Sequence, residues 1–343
     1  KKKKMKYTLK THSKKILADT ITPVSVYLRL RDRFPNSLLL ESSDYRANDN
    51  TFSYICCKPI ASITVKDEII TESFPDGKTT TTSIDSTTDV VGIIEAFAKK
   101  FETENNDKKF IQNGLFGYMS YDAVRYFEDI EITKKEGALD VPDLYYAVYQ
   151  NIIAINHFNN EAYIFSHTYN EENNLSEIAQ LLTVKSFAEY HFKLEGDQQS
   201  QMSDEAFMDL VKTCKKHCQR GDVFQIVPSK RFSQNFSGDE FNVYRSLRSV
   251  NPSPYLFFFD YGNFKIFGSS PEAQLIVKDG KAEIHPIAGT FKRTGNDEKD
   301  AVLAKKLSED EKENSEHVML VDLARNDLSR NGSNVKVETY RGA

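Results

Sequence analysis

The sequence PYLFFFDYGNFKIFGSSPEAQLIVKDGKAEIHPIAGT, residues 254–290, decides the fold class of this chain. Apolar and aromatic runs alternate in it with two turn signals, Gly-Asn at residues 262–263 and Asp-Gly at residues 279–280. Tight turns of this type reverse the chain between neighbouring strands, so we expect these strands to pair antiparallel. The preceding apolar run DVFQIVPSKRF, residues 222–232, predicts one further strand.

Helical patterns flank these strands on both sides. Ser203 is a suitable N-cap and Gly221 a suitable C-terminal residue for a helix between them. After the strands, a long helix is expected from about residue 300 to residue 328. Because strands and helices are grouped in blocks and do not strictly alternate, the pattern favours an α+β fold over a parallel α/β fold. We predict mostly antiparallel sheets packed as a sandwich with flanking helices.

The first half of the chain has the same mixed character. Its patterns predict strands at residues 53–71 and at residues 143–165 around a turn at 157–160, and helices at residues 88–101 and 174–182. Residues 193–203 are polar and show no periodicity, so we place a boundary there. The predicted organisation is an N-terminal domain at residues 5–192, a linker at 193–203 and a C-terminal domain at 204–343.

Composition excludes several classes of protein. Of the 343 residues, 39% are hydrophobic and 28% are charged, as in ordinary globular proteins, which excludes a mainly disordered chain. A formal net charge of -5 gives no basic footprint for nucleic acid, and no apolar run approaches the roughly 20 residues that cross a bilayer. The four cysteines lack the spacing of a zinc site, so we interpret them as reduced core thiols of a cytoplasmic protein.

Acidic residues cluster on one face of the expected C-terminal helix. Glu309, Glu313 and Glu316 are spaced i, i+4 and i+7, and like charges at that spacing repel one another. Water, salt and neighbouring lysines are the ordinary source of compensation. A hard cation such as Mg²⁺, held by one or two carboxylates and an anionic substrate, is the alternative. The spacing alone leaves both interpretations open.

Three other segments are candidates for chemistry. Glu272 ends the sequence FGSSPE beside aromatic strands, where an apolar setting would suit a general acid, although a solvent-exposed turn glutamate has the same pattern. Ala288, Gly289 and Thr290 are small enough for a ligand carboxylate to approach the backbone amides. Gln225 lies between apolar neighbours in the expected strand, so its amide needs either backbone partners or a polar substrate.

Five segments follow one another along the chain: GDVFQIVPSKRF, NPSPYLFFFDYG, GSSPE, HPIAGT and SEHVMLVDLARNDLSR. Together they resemble the chorismate-binding enzymes, and within these most closely anthranilate synthase component I. LLLES at residues 38–42 and GLFGYMSYDAVRYFE at residues 114–128 also resemble that family, so the likeness covers nearly the whole chain. The resemblance implies the fold of the chorismate-utilising enzymes.

The resemblance also implies a specific reaction. Chorismate and ammonia give anthranilate and pyruvate in the presence of Mg²⁺, as the first step of tryptophan biosynthesis, and the ammonia comes from glutamine on a separate amidotransferase subunit. A hetero-oligomer that is inhibited by tryptophan is therefore expected. Aminodeoxychorismate synthase component I is the alternative enzyme. A non-catalytic module that senses tryptophan or binds a partner is the alternative outside the enzymes.

Individual residues acquire roles from the same resemblance. Glu272 matches the acid that protonates the departing hydroxyl group, and Gly289 and Thr290 match a pair that contacts the substrate. Glu316 matches a Mg²⁺ ligand and Glu313 a nearby carboxylate at the metal site, where the ion would bridge to the substrate carboxylate. The resemblance therefore favours the cation interpretation of the acidic helix.

Two positions bear on the subfamily. Related isochorismate and salicylate synthases have a lysine at the position of Gln225, and a glutamine cannot deprotonate water, which favours ammonia as the nucleophile. Aminodeoxychorismate synthases typically have a lysine at the position of Ala288, and an alanine cannot form the covalent adduct. Both residues favour anthranilate synthase.

A tryptophan site is implied as well. Ser42, which Glu41 precedes, and Pro254, Tyr255 and Leu256 match the inhibitor site of the family, with Leu256 in place of the usual methionine. These residues are distant in the sequence. We therefore expect the site at a domain interface, where an inhibitor can shift domain packing.

The chain departs from the family pattern at two places. Many members have an arginine directly after the residue that matches Thr290, and Lys292 or Arg293 could substitute for it. The resemblance also places further residues downstream of Ala343, a catalytic histidine among them. We therefore expect this chain to be a truncated component I that cannot make anthranilate alone.

Overall fold

The computed structural model describes residues 6–42, 51–104, 108–133, 139–290, 292 and 294–340. Its helices are α1 Pro23–Leu30, α2 Val90–Ala98, α3 Leu175–Thr183, α4 Asp204–Arg220, α5 Phe241–Val250, α6 Asp297–Glu309 and α7 Glu311–Asn331. Its strands are β1 Tyr7–Leu17, β2 Leu38–Glu41, β3 Phe52–Lys66, β4 Ile69–Ser73, β5 Thr79–Ser83, β6 Phe101–Thr103, β7 Phe116–Met119, β8 Leu144–Asn156, β9 Glu161–Thr168, β10 Phe192–Ser200, β11 Phe232–Gly238, β12 Tyr255–Asp260, β13 Lys265–Ser270, β14 Ile276–Lys278 and β15 Lys281–Glu283. None of the helices in these ranges combines the length and the apolar character that crossing a membrane requires.

The chain divides into two compact units. The larger unit contains the residues up to Thr183 and those from Asn251 onwards, and the smaller unit contains Val184–Val250. These bounds differ from the predicted domains, because residues 193–203 are not a linker but contain most of β10, which pairs with β11. Pairing of strands uses backbone groups, so a polar segment without apolar periodicity can still form a strand.

The antiparallel pairing of β3 with β8 organises the larger unit. It extends from Phe52 opposite Asn156 to Val65 opposite Leu144, with a register shift that begins at Pro59. Proline cannot donate a ladder hydrogen bond, so an irregularity is where a central strand tolerates it. β8 is buried along almost its whole length, as is typical of a strand that is covered on both faces.

The neighbours of these two strands form two sets. β2, β12 and β13 continue the sheet from the first half of β3, and β9, β1 and β6 continue it from the second half of β8. β4 and β5 extend from the second half of β3, and β7 pairs with the first half of β8. Within the described ranges these eleven strands make one sheet, in which every pairing is antiparallel except that of β1 with β6.

Among the described residues of the larger unit, apolar side chains form two clusters. One joins Ile63 and Val65 of β3 to α2, on which Val90 and Phe97 are buried two turns apart. Burying a side chain of this size contributes roughly 1.5–3 kcal/mol. The other cluster surrounds Tyr149 of β8 and includes side chains from β2, β3 and β12. The spacing that predicted the helix at residues 88–101 is thus the spacing of a buried face.

Much of the predicted pattern is confirmed. The α+β class and the antiparallel strands are as expected, and the turns at residues 157–160 and 262–263 join β8 to β9 and β12 to β13. Ser203 caps α4 by accepting a hydrogen bond from the amide of Ala206 at 3.2 Å. Gly221 ends that helix in the left-handed conformation, with φ 78.

Two predictions of secondary structure are wrong. Residues 222–231 are irregular, and no strand in the described part of the chain pairs with them. A strand without a partner leaves its hydrogen-bonding groups unmatched, so an apolar pattern alone does not produce one. The helix expected at residues 300–328 is two helices, α6 and α7, which meet at Asp310.

The cysteines differ in exposure. Cys56, Cys57 and Cys214 are buried free thiols, as expected, whereas Cys218 is exposed on α4. The interpretation of Cys218 as a core thiol is therefore wrong, because Cys214 is the buried residue of that helix. Burial raises the pKa of Cys57 to about 12, which keeps its sulfur in the unreactive thiol form.

A buried histidine joins β9 to its neighbours. His167 is 1% exposed, its Nε2 lies 2.8 Å from the carbonyl oxygen of Gln112, and its Nδ1 lies 3.0 Å from Oγ1 of Thr11. Because a carbonyl oxygen only accepts, Nε2 carries the proton and Nδ1 accepts from the threonine hydroxyl. Burial lowers the pKa of His167 below its usual value, and the contact with Gln112 only partly offsets this effect.

We expect the free energy of unfolding to fall as the pH is lowered through about 6.5, the usual pKa of histidine. In this range the unfolded chain takes up a proton at His167 and the folded protein does not, so acid favours the unfolded chain. Urea unfolding at about pH 7.5 and about pH 5.5 measures the decrease, which should be smaller in His167→Gln. The exposed His191, replaced in the same way, is the control. An equal decrease in His167→Gln and the unsubstituted protein would contradict the prediction.

Candidate functional site

Two carboxylates of α7 lie one turn apart. Asp310 ends α6 and caps α7, because its side chain accepts a hydrogen bond from the amide of Glu313 at 3.0 Å. Glu313 and Glu316 are three residues apart, which places them on the same side of the helix. Glu309 belongs to α6, so the expected row of three glutamates on one helix is wrong and a pair remains.

The small residues at 288–290 contact one of these carboxylates. Gly289 has φ 43, and a Cβ at this position would overlap the carboxylate of Glu313 and approach Cδ1 of Leu307 to 2.9 Å. Ala288 is half-buried and Thr290 is exposed. The structure thus brings the Ala-Gly-Thr segment together with the first glutamate of the pair.

The charges and donor atoms of the pair fit a hard cation. Nζ of Lys312 lies 3.6 Å from Oε1 of Glu313, whose side chain is 24% exposed, and a partly exposed ion pair of this kind is weak. In the described ranges, no group of three or more His, Cys, Asp or Glu side chains is arranged to hold a metal. Glu313 and Glu316 offer only carboxylate oxygens, which are the donor atoms that Mg²⁺ takes from proteins together with waters and a substrate anion.

Two exposed segments carry other candidate residues. Glu272 follows β13 in a turn, where the hydroxyl of Ser270 accepts from its amide at 3.3 Å and donates to its carbonyl oxygen at 3.1 Å. Of the two settings left open for Glu272, the structure shows the solvent-exposed turn and not the apolar setting, because the turn carries the residue beyond the aromatic strand. Lys292 is also exposed, whereas Arg293, the other candidate to follow Thr290, lies outside the described residues.

Gln225 lies in the smaller unit. It is exposed in the irregular segment at residues 222–231, and its neighbour Phe224 is 93% exposed. The expectation of a buried amide within a strand is therefore wrong. None of the described strands pairs with the segment that contains Gln225.

The residues of the implied tryptophan site lie on adjacent strands. β2 pairs antiparallel with β12, and Glu41, the last residue of β2, lies opposite Leu256. Both of these side chains are buried, whereas Tyr255 is 43% exposed, and Ser42 and Pro254 are half-buried beside the strand ends. The register of β2 with β12 thus brings all five residues of the implied site to the same end of this strand pair. The expected domain interface is instead a strand pairing inside the larger unit.

Reasoning from the sequence missed two residues beside Ser42. Ser53 of β3 accepts a hydrogen bond from the amide of Ser42 at 3.3 Å, and its Oγ lies 2.7 Å from Nε2 of His157. The signal is the β2–β3 register, which sets Leu40 opposite Tyr54 and so brings Ser53 beside the end of β2. A register of this kind is not visible in a single sequence.

Comparisons with known proteins identify the family. Residues 36–342 match the family model described as chorismate binding enzyme. The chain is 34% identical to anthranilate synthase component 1 of Lactococcus lactis subsp. lactis (strain IL1403), over 96% of this chain and 74% of that protein. It is also 34% identical to aminodeoxychorismate synthase component 1 of Bacillus subtilis (strain 168), over 85% of this chain and 62% of that protein.

A solved structure shares the fold. The crystal structure of anthranilate synthase component I from Streptococcus pneumoniae TIGR4 matches with a TM-score of 0.67 and 26% identity, over 92% of this chain and 68% of that chain. The large, mostly antiparallel sheet with flanking helices is therefore the architecture of that protein as well. Since the family model covers most of the residues and the lactococcal protein is matched over most of its length, this chain belongs to the chorismate binding enzyme family.

Proposed function

We propose that this protein converts chorismate and ammonia into anthranilate and pyruvate, the first step of tryptophan biosynthesis, with Mg²⁺ as its metal. The contact between Gly289 and Glu313 carries the proposal. It joins a segment that can bind a carboxylate through its backbone to a helix with two carboxylates suited to a cation. Similarity to proteins named anthranilate synthase component 1 supports the same reaction.

A cation would offset the repulsion between the two glutamates and an anionic substrate. Chorismate is an anion, and the carboxylates of Glu313 and Glu316 would repel it at short range. A bound Mg²⁺ would offset the charge of the substrate carboxylate and fix its position. Glu313 and Glu316 would hold the ion on one side, while Gly289 lies against the carboxylate of Glu313 and the next residue, Thr290, is exposed.

The exposed turn of Glu272 suits a residue that meets a substrate arriving from solvent. In the proposed reaction, ammonia attacks the ring carbon beside the carboxylate-bearing carbon, and the ring hydroxyl takes a proton from Glu272 and leaves as water. Loss of pyruvate then makes the ring aromatic. A glutamine amidotransferase subunit supplies the ammonia. Gln225 favours ammonia over water, because an amide cannot act as the base that would activate a water molecule.

Aminodeoxychorismate synthase is the second candidate function. The Bacillus subtilis protein of that name is as similar to this chain as the lactococcal anthranilate synthase component, at 34% identity. The residue that argues against this candidate is Ala288, whose methyl group cannot form the covalent adduct that a lysine would form there. The product of the reaction distinguishes the two enzymes.

The β2–β12 pairing supports inhibition by tryptophan. At the end of this pair, the half-exposed Tyr255 and the buried Leu256 lie beside the polar Glu41 and Ser42. Apolar side chains next to a few polar groups are the usual composition of a pocket for a small aromatic ligand. A binding site on the sheet, separate in sequence from the α7 carboxylates, is what a feedback inhibitor requires.

The first test is the identity of the product. We expect the complete native subunit, supplied with chorismate, ammonium and Mg²⁺, to release anthranilate, because Ala288 leaves no covalent route to aminodeoxychorismate. Fluorescence of anthranilate and chromatography of the mixture measure the outcome, with a chelator of divalent cations as the control. Aminodeoxychorismate as the sole product would assign the second candidate function, and tryptophan binding without chorismate binding would indicate a non-catalytic module.

The second test removes one negative charge from the proposed metal pair. We expect Glu316→Gln to lower Mg²⁺-dependent turnover about 100-fold or more, because a lost ligand removes several kcal/mol of charge stabilisation. The matched control is Glu311→Gln, on the opposite side of the same helix at about 3.6 residues per turn. Unchanged metal dependence in Glu316→Gln would contradict the assignment.

The third test concerns the contact between Gly289 and Glu313. We expect Gly289→Ala to lower the free energy of unfolding by more than about 1 kcal/mol, since the new Cβ is strained at φ 43 and also overlaps the carboxylate. The matched control is Gly295→Ala, which has the same kind of strain, φ 76, but no atom within 4 Å of the new Cβ. Equal losses in urea unfolding would show that the contact with Glu313 contributes nothing.

A further inference from the structure

We propose that Ser53 and His157 are positioning residues for the tryptophan site, because they hold the backbone at Ser42 where the end of β2 meets β12. The inference rests on the proposed function, since it concerns the inhibitor site named there. Neither residue belongs to the segments that resembled the family's tryptophan site. Both come from the pairing of the strands and from the hydrogen bonds between them.

The ladder between β2 and β3 ends just before the site. Its last pair is Leu40 opposite Tyr54, and β2 itself ends at Glu41. Beyond that pair, the amide of Ser42 donates to the hydroxyl oxygen of Ser53 at 3.3 Å. A side chain of β3 thus replaces the backbone of β3 as the hydrogen-bond partner of the chain at Ser42, a residue of the implied inhibitor site.

The direction of the hydrogen bonds follows from the donors and acceptors. Oγ of Ser53 accepts from the amide of Ser42, so its single proton is available to Nε2 of His157, 2.7 Å away. This arrangement needs the neutral histidine with its proton on Nδ1. The three groups then form a chain in which each hydrogen bond polarises the next.

The chain of hydrogen bonds is buried at Ser53 and exposed at His157. Ser53 has no exposed surface and lies opposite Ile155 of β8. His157 is exposed in the turn after β8, and its amide donates to the carbonyl oxygen of Thr51 at 3.1 Å. The turn between β8 and β9 is therefore tied to the same stretch of β3 that holds Ser42.

The position of Ser42 matters because of its neighbour across the sheet. Glu41 lies opposite Leu256, so a shift of the backbone at the end of β2 changes the distance between Ser42 and the start of β12. A binding site built from two strands needs that distance fixed before the ligand arrives, or binding must order it. Ser53 and His157 act through Ser42 and need not touch the ligand themselves.

Tryptophan binding to the complete native subunit, measured by calorimetry, tests this inference. We expect Ser53→Ala to weaken tryptophan binding about tenfold, because the amide of Ser42 loses a partly buried hydrogen bond. Ser53→Thr keeps the hydroxyl and suits a strand, so it should restore most of the affinity. The matched control is Ser62→Ala on the same strand, which should bind tryptophan as the unsubstituted protein does.

The role of His157 is tested by a double-mutant cycle. We expect His157→Ala to weaken tryptophan binding, and the double variant with Ser53→Ala to bind no more weakly than Ser53→Ala alone, because the histidine acts through the serine. A general loss of stability would instead weaken binding in both backgrounds. Thermal melting of each variant shows whether it is folded, and His157→Ala and Ser53→Thr serve if Ser53→Ala is not.

Three results would overturn the inference. Unchanged tryptophan affinity in Ser53→Ala would show that the hydroxyl does not position Ser42, and strictly additive effects would show that His157 does not act through Ser53. If the unsubstituted protein did not bind tryptophan, there would be no tryptophan site for these residues to position. The anthranilate assay is run on the same preparation, so failure of the inhibitor site is distinguished from failure of the proposed reaction.

Discussion

The pairing of β3 with β8 is the interaction on which the larger unit depends. The described strands of its main sheet are attached to one of these two strands directly or through a neighbour. A slip of one residue in this pair would turn buried side chains to the opposite face, so the register is strongly specified. This register brings Ser53 beside the turn with His157, and the register of β2 with β3 brings Ser53 beside the end of β2. Hydrophobic packing in the sheet thus decides which polar groups meet at the ends of its strands.

The two candidate sites are built in different ways. Gly289, Glu313 and Glu316 are close in sequence, and the elements that carry the glutamates are held by local features such as the Asp310 cap. α6 and α7 have no buried residues in the described structure, although Arg330 of α7 forms an ion pair with Glu128 at 3.1 Å. A helix with so little buried surface gains stability from any ligand that binds to its folded form.

The proposed inhibitor site, by contrast, depends on residues that are remote in sequence. It exists only when β2 is paired with β12, and both strands are set in place by the main sheet. The residues of the proposed site therefore share the stability of the sheet. The proposed regulatory site thus lies on the main sheet, whereas the proposed catalytic residues lie on more locally stabilised segments.

The sequence predicted what local physics controls. Turn residues at 262–263, the caps Ser203 and Gly221, and the buried spacing of α2 are local signals, and the structure confirms them. Predictions from the sequence were wrong where the structure of a segment depends on contacts with other segments. The apolar residues at 222–231 form no strand, and none of the described strands pairs with them, while Asp310 breaks a helix that periodicity alone would continue. Ser53 and His157 were missed for the same reason, since only the register shows that they adjoin Ser42.

The uneven burial of the thiols has a practical consequence. Burial keeps Cys57 in its thiol form, and Cys56 and Cys214 are also enclosed, whereas Cys218 is open to solvent on α4. Thiol reagents attack the accessible thiolate, so a maleimide dye would attach to the native protein at Cys218. A fluorophore could therefore be placed on the smaller unit without any engineered cysteine, as a reporter for spectroscopic study of its motions.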